Sequence, residues 1–327
     1  MSSITPPLPT RPSEANLFIE QIISGATSIA PGTTDYWAGD FTGFAVTGSL
    51  SNAGLLWGSS ANGLTAVQLI DGGSFSNTGT VVAEAAAGDA VTIDAILASA
   101  AVSNSGELFA LAAAGNAYGV HGGEPHSSFE NGGMIAVQAF GNPADNLPGR
   151  PLSSGKAVGI FVDDGDVPIV NQAAGQILVE GDHAFGIWMR GSAVGAGYAY
   201  DLDNQGLIQA ESTLEGAASY GLYLVETAGQ QMRVLNSGTI EADVAVFAPS
   251  EGPETLFSGI TYGSESITNS ASGRIDGAIE LRNGGDLLVN SGQISGLVDM
   301  GPGDDRVDTA GGTLNGPRRP GLRRQWR

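Results

Sequence analysis

An Asn-led word recurs along most of this chain of 327 residues. In NSGTIEADVAVF (236–247), for example, an Asn-Gly turn precedes alternating apolar residues. Similar words begin at Asn52, Asn77, Asn104, Asn131, Asn171, Asn204, Asn236, Asn269 and Asn290. Successive Asn residues are 21 to 40 positions apart. A motif repeated at this spacing is the signature of a solenoid or a propeller.

A second word follows several of the first. AYGVH (117–121) begins 13 residues after Asn104, and AFGIWM (184–189) begins 13 residues after Asn171. AVGIFV and SYGLYLV have the same pattern of a Gly among alternating apolar residues. Because Asn and Gly tolerate left-handed backbone, N-x-G marks a sharp corner. Each unit therefore has room for two or three short strands.

The unit length favours a solenoid over a propeller, whose blades need four antiparallel strands in about 40–45 residues. Units stacked in parallel pair each strand with its copies above and below. Equivalent Asn side chains then form a hydrogen-bonded ladder, and equivalent Ile and Val form the core. We predict an all-β, single-stranded parallel β-helix (β-solenoid) of short coils. At about 4.8 Å per coil it would be on the order of 50 Å long.

Composition shifts divide the chain into four parts. Residues 1–15 are rich in Pro, Ser and Thr, which predicts disorder. Residues 16–49 are predicted to hold a capping helix and the first irregular strands, and 50–316 to form the β-helix. A Pro-rich loop at 140–156 is predicted to project from the rod, and the basic tail 317–327 is predicted to be disordered.

The predicted N-terminal cap is the chain's best helix candidate. In EANLFIEQIISG (14–25) apolar residues recur at helical spacing, and Gly25 could end the helix. A helix there would cover the first open edge of the solenoid. A second break in the repeats, APSEGPETLFSG (248–259), predicts a shorter loop.

The formal charge of the chain is −21. Five of its 13 basic residues lie in the last eleven positions, so 1–316 carries 34 acidic against 8 basic residues, a charge of −26. Such a surface repels phosphate backbones, so we expect no nucleic-acid partner. Cys is absent, which fits passage through an oxidising compartment, although many cytosolic proteins also lack it. Neither a signal peptide nor an apolar run of about 18 residues is visible.

The Asn-led words, the A-x-G words and GPGDDRVDTAGG (301–312) together resemble the passenger region of bacterial autotransporters, over roughly 50–316. The resemblance implies a non-catalytic rod for adhesion or surface display, located extracellularly or at the outer membrane of a Gram-negative bacterium. It also implies a C-terminal secretion barrel in the full-length protein. Ten-residue amphipathic barrel strands are not visible after residue 316, where the abruptly basic tail suggests a truncated or frameshifted reading frame.

GPGDDRVD (301–308) matches most of one calcium-binding nonapeptide repeat. Calcium takes six to eight oxygen ligands, which a stacked pair of such repeats supplies. We name Asp304, Asp305 and Asp308 as candidate calcium ligands. Since the next residues lack the Asp, one copy leaves the ion half-coordinated, and an acidic corner of the rod is the alternative.

Other polar clusters are weaker candidates. VDDGDV brings together Asp163, Asp164 and Asp166, which fit either a metal or acid-base pair or a solvated turn. HGGEPH could bring His121, Glu124 and His126 into one loop, whereas His183 stands beside Asp182 at a strand start. These positions do not match a compact metal-ligand motif, and the sequence contains no Cys nucleophile, G-x-S-x-G or P-loop.

Aromatic residues offer a different kind of site. Two interpretations fit the aromatic residues of this part of the chain: they form a stripe that binds sugars, or they stack on one another within the solenoid. The residues are Trp188, Tyr198, Tyr200, Tyr220 and Tyr223.

We therefore expect a rod that contacts a host or environmental surface, such as a glycan, and that self-associates at an open C-terminal coil. A β-helix polysaccharide lyase or hydrolase is the alternative, with three or more acids converging in one groove. A calcium-stabilised extracellular module is a further one.

Overall fold

The computed structural model describes the following residues: 3–10, 21–38, 42–95, 99–123, 127–141, 155–163, 167–190, 199–225, 231–249, 263–281, 283–309 and 311–319. Throughout these residues the chain is all-β, and no described segment is a helix. None of the described residues forms a helix long and apolar enough to cross a membrane.

Short strands follow one another along the whole described chain. In chain order they are β1 (Gln21–Ile23), β2 (Ala26–Ile29), β3 (Thr34–Ala38), β4 (Phe44–Val46), β5 (Ser49–Asn52), β6 (Leu55–Ser60), β7 (Leu64–Leu69), β8 (Ser74–Asn77), β9 (Thr80–Ala85), β10 (Ala90–Ala95), β11 (Ala101–Asn104), β12 (Glu107–Ala112), β13 (Ala117–Gly122), β14 (Ser128–Asn131), β15 (Met134–Ala139), β16 (Lys156–Asp163), β17 (Ile169–Asn171), β18 (Gln176–Gly181), β19 (His183–Arg190), β20 (Ala199–Asn204), β21 (Leu207–Ser212), β22 (Tyr220–Val225), β23 (Gln231–Asn236), β24 (Thr239–Ala248), β25 (Ser264–Asn269), β26 (Arg274–Leu281), β27 (Leu287–Asn290), β28 (Gln293–Ser295), β29 (Val298–Asp299), β30 (Arg306–Asp308), β31 (Thr313–Leu314) and β32 (Arg318–Arg319).

The strands build three parallel faces, one strand per face in most coils. Face 1 is an 11-stranded sheet that starts β2, β5, β8, β11 and ends β25, β27, β30. A 21-stranded sheet bends to form the other two. Face 2 starts β3, β6, β9, and face 3 starts β1, β4, β7. The long strands β24 and β26 run across both. The predicted parallel β-helix is confirmed.

The Asn residues end the face 1 strands and lie in register inside the rod, between 0 and 2% exposed. Each Asn Nδ2 donates to the Oδ1 of the next, at 2.8–2.9 Å in all eight links. The same Nδ2 also donates to backbone carbonyls, as Asn52 does to Gly54 and Thr80. Both amide protons are therefore used at the eight rungs from Asn52 to Asn269, Asn290 donates to Thr313 O, and the predicted ladder is confirmed.

Aliphatic side chains stack beside the ladder in the same way. An inward residue of face 2 follows each Asn by four or six positions, is at most 1% exposed and pairs with its copy in the next coil. The column is Leu56, Val81, Leu108, Ile135, Ile177, Ile208, Ile240, Ile275 and Ile294. Burying each such side chain contributes roughly 1.5–3 kcal/mol to folding.

The predicted capping helix at 14–25 is wrong where the structure describes it. Gln21–Ile23 is a strand that pairs with Phe44–Val46. Ile23 enters the core, whereas Ile22 is 76% exposed. This alternation of buried and exposed residues is that of a strand. Pairing with the open hydrogen-bonding groups of the sheet edge stabilises the segment more than a short isolated helix would. Residues 11–20 lie outside the described residues.

Residues 3–10 lie along face 2, which differs from the disorder predicted for 1–15. Thr5 is buried, Ser3 and Thr5 donate to the Glu180 carboxylate, and Gln138 donates to both. Leu8 packs on a cluster of outward face 2 side chains that includes Trp57. The apolar outer side of the first coils binds this segment, since leaving it in water would cost free energy.

The solenoid also extends beyond the predicted limits of 50 and 316. Its first described strand begins at Gln21, and Arg318–Arg319, assigned to the disordered tail, pairs with Val298–Asp299. The predicted inserted loop, 140–156, falls between β15 and β16, where 142–154 lie outside the described residues, as do 250–262 and 320–327.

Candidate binding surface

The A-x-G words form the strands of face 3, and the glycine explains the shape of that face. A Cβ on Gly159 would lie 2.4 Å from Cγ2 of Ile177, which points inward from face 2. A Cβ on Gly186 would meet Ile208 at 2.5 Å in the same way. The glycines therefore let the two faces approach closely. In each A-x-G word, the residue immediately before the Gly and the residue two positions after it point outward.

These outward positions form two columns of mostly aromatic side chains. The first runs through Tyr118, Val158, Phe185 and Tyr220. The second runs through His121, Phe161, Trp188, Tyr223 and Phe247. We call the eight ring-bearing residues of these columns the aromatic surface.

The rings contact one another within and between columns. Phe185 stacks on Tyr220 with 5.3 Å between centroids and 8° between planes. Phe161 meets Trp188 edge-on at 5.3 Å, and Trp188 meets Tyr223 at 5.2 Å. Phe247 continues the contacts at 5.2 and 5.3 Å. Such pairs add about 0.5–1.5 kcal/mol each beyond the area they bury, so the ring contacts stabilise the surface.

Two cations lie over these rings. Lys156 Nζ is 5.8 Å from the Trp188 ring centroid, and Arg190 Cζ is 5.9 Å from that of Phe161. The Arg190 guanidinium also donates to both oxygens of Asp163. Trp188 is partly exposed, but its Nε1 is buried and has no hydrogen-bond acceptor among the described residues.

Tyr118, His121 and Tyr223 stay neutral near pH 7. Burial, and then the charge of Asp89, raises the pKa of Tyr118 to about 12. Burial, and then Tyr220, raises the pKa of Tyr223 to about 12. Burial lowers the pKa of His121, although Asp94, at 3.5 Å from its Nδ1, opposes the shift. The surface thus presents uncharged π-faces.

The sequence identified part of this surface. Trp188, Tyr220 and Tyr223 come together as one group, whereas Tyr198 lies outside the described residues and Tyr200 belongs to face 1. The sequence reading missed Tyr118, Phe161, Phe185 and Phe247. These residues could have been found from the sequence, because they occupy the same outward positions beside the glycine when the A-x-G words are aligned with one another.

The acidic and histidine candidates are dispersed. Asp163 is engaged with Arg190, and Asp164, Asp166, Glu124 and His126 lie outside the described residues. His121 belongs to the aromatic surface. Burial lowers the pKa of His183, more than Asp182 raises it.

The candidate calcium ligands point in different directions. Asp304 is exposed, Asp305 is buried in the interior, and Asp308 lies 3.8 Å from Arg306 on the outside. Among the residues that the structure describes, no group of three His, Cys, Asp or Glu side chains could hold a metal ion. The structure does not bring these three carboxylates together.

Asp305 instead ends a column of buried carboxylates on face 1. Glu265 N donates to Asp286 Oδ1 at 3.0 Å, and Asp286 N donates to Asp305 Oδ1 at 3.1 Å. The three residues are 4%, 1% and 8% exposed. Burial first, and Glu265 second, raises the pKa of Asp286 to about 8, and burial raises that of Asp305 to about 6. Glu265 and Asp286 stand four residues before Asn269 and Asn290, a repeat that the sequence reading missed.

A groove of about 830 Å³ opens on face 2, beside the connection to face 3. Its lining includes Glu211, Glu215, Glu241, Asp243 and Asp276. Asp243 accepts hydrogen bonds from Ser219 N and Oγ, and Asp276 accepts from Arg274. The acids outline the groove, and at least two of them are already engaged.

Comparison with known proteins gives no relative: no protein-family model, no curated protein and no solved structure matches the chain. The parallel β-solenoid fold is therefore what the structure itself shows.

Proposed function

We propose that this chain is a passenger-like rod, displayed outside a Gram-negative cell, which attaches to another surface without catalysing a reaction. The observation that carries the proposal is the aromatic surface on face 3. Five of its eight rings are partly exposed and contiguous, whereas Phe161, Phe185 and Tyr223 are buried beneath them. Contiguous exposed apolar patches larger than a few hundred Å² are rare on monomeric soluble proteins and mark interaction sites. Trp and Tyr are enriched at such sites. A rod roughly 50 Å long holds such a surface at a distance from its anchor.

Bead attachment tests this proposal. Microspheres coated with the chain would be washed over epithelial cell layers, mucin and cellulose. We expect retention on at least one, and a several-fold loss with Trp188→Ala. Leu235→Ala is the matched control, because Leu235 is a 45% exposed apolar residue on face 1. No retention on any surface, or equal retention of both variants, would contradict the proposal.

A polysaccharide lyase or hydrolase is the second candidate, and the acid-lined groove on face 2 favours it. Glycoside hydrolysis uses two carboxyl groups that flank the scissile bond. Incubation with a panel of acidic and neutral polysaccharides tests this candidate by reducing-end release and by absorbance of unsaturated products. Product that disappears in Glu241→Gln would support it, and no product from the wild-type chain would exclude it for that panel.

A further inference from the structure

The aromatic surface already carries cations. A ring face attracts ammonium and guanidinium groups through its quadrupole, and the attraction is stronger where the ring and the cation are desolvated. Lys156, the single lysine of the chain, lies over Trp188, and Arg190 lies over Phe161. Residues 1–316 contain only 8 basic residues, and two of them lie over this one surface. This concentration indicates that the surface attracts cationic side chains.

Carboxylates continue the second aromatic column at both ends. Asp94 is the register partner of His121 at one end. At the other end Glu280 is the partner of Phe247, and Asp299 is the partner of Glu280. Neighbouring strands are about 4.8 Å apart, so about 30 Å separate Asp94 from Glu280 or Asp299. An extended segment of about eight to ten residues covers that length.

We propose that the aromatic surface binds an extended Lys- and Arg-rich segment of a partner protein. This inference rests on the proposed function and names the chemistry of its contact surface. The segment's cations lie over the ring faces and against the terminal carboxylates. The charge of −26 on 1–316 accelerates the encounter.

Lys156 competes with the cations of the bound segment for the ring face of Trp188. Its ammonium occupies the ring face that a ligand cation would use. Removing it frees the ring and also makes the surface more negative. Loss of a basic side chain should therefore strengthen binding, by a few-fold.

The test is fluorescence anisotropy of a labelled octalysine peptide titrated with the full chain. We expect saturable binding that weakens with salt. Trp188→Ala should reduce the affinity about ten-fold, since about 1–2 kcal/mol of cation–π attraction is lost. Lys156→Ala should tighten binding, and Leu235→Ala should leave it unchanged. Circular dichroism establishes that each variant is folded, and Tyr220→Ala replaces Trp188→Ala if the latter unfolds.

Trp188→Ala keeps the net charge, so it separates the ring from the general field of the protein. Equal affinity of Trp188→Ala or Tyr220→Ala and the wild type would mean attraction by net charge alone and would overturn the inference. So would weaker binding by Lys156→Ala, or binding of neutral oligosaccharides without binding of octalysine. If bead attachment still depends on Trp188 in that last case, the proposed function stands and only the ligand chemistry is wrong.

Discussion

Two buried polar columns run inside face 1 and behave differently. The Asn column spans nine residues, and each side chain both donates to and accepts from neighbouring groups. The carboxylate column spans Glu265, Asp286 and Asp305, and an ionised carboxylate only accepts. Oδ2 of Asp286 and of Asp305 has no hydrogen-bond partner among the described residues. Side chains of one type can stack in a buried column without losing hydrogen bonds only when each side chain carries both a donor and an acceptor, as an amide does.

The protonation state follows from the same difference. An amide ladder is neutral and saturated, and neighbouring bonds polarise one another favourably. Stacked buried carboxylates resist ionisation, because charged groups buried in register repel one another and lose hydration. The raised pKa of Asp286 is the consequence.

The largest expected effect comes from placing a carboxylate in the Asn column. Asn171 donates to Asn204 and accepts from Asn131, at 2.8 and 2.9 Å. Asn171→Asp removes the donor and buries a charge, so the free energy of unfolding at pH 8 should fall by about 3–5 kcal/mol. Urea unfolding followed by circular dichroism measures it. Gln176→Glu is the control, since Gln176 is exposed in the same coil and should lose less than about 0.5 kcal/mol. Equal losses would contradict the buried ladder.

The reverse exchange should stabilise the carboxylate column. Asp286→Asn mimics the protonated side chain, so we expect a gain of about 1–3 kcal/mol at pH 8 and little change at pH 4. The folded-state pKa of Asp286 is raised to about 8 from an ordinary 3.8. The wild type therefore loses stability as the pH rises between those values. The variant should lose less.

Thermal unfolding across pH 4 to 9 measures this difference. Asp71→Asn is the control, because Asp71 is exposed in a turn with φ of 50°, which Asn tolerates. It should leave the pH profile unchanged. A wild-type profile that rises between pH 4 and 8, with no gain from Asp286→Asn, would show that the column is not protonated.

Calcium should have the smallest effect. Since Asp304, Asp305 and Asp308 diverge, we expect millimolar calcium to change the melting temperature by less than about 1 °C. The predicted calcium site would require a larger increase that chelator reverses and that Asp305→Asn abolishes.

Much of the scaffold could be predicted from the sequence, because each ladder position repeats one residue type at one place in the coil. Asn52 and Asn290 stand at opposite ends of the same column and carry the same N-x-G turn. The helix prediction failed at Ile22 because a strand of three residues and a single helical turn give the same short run of apolar residues in the sequence.

The site was only partly predictable. The second aromatic column reads His121, Phe161, Trp188, Tyr223 and Phe247, a different ring in almost every coil. Inserted segments also vary the spacing between these positions, so register appears only once the strands are paired. The carboxylate column was hidden because it has only three members, one Glu followed by two Asp residues.

Hydrogen exchange of the Asn side-chain amides tests the ladder most directly. In two-dimensional NMR spectra of the protein transferred to deuterium oxide, we predict that the Nδ2 protons of the nine ladder Asn residues persist for hours. Exposed side chains such as Asn62 should exchange within the dead time. Loss of all Asn side-chain signals within minutes, while backbone amides of face 1 stay protected, would contradict a continuous buried amide ladder.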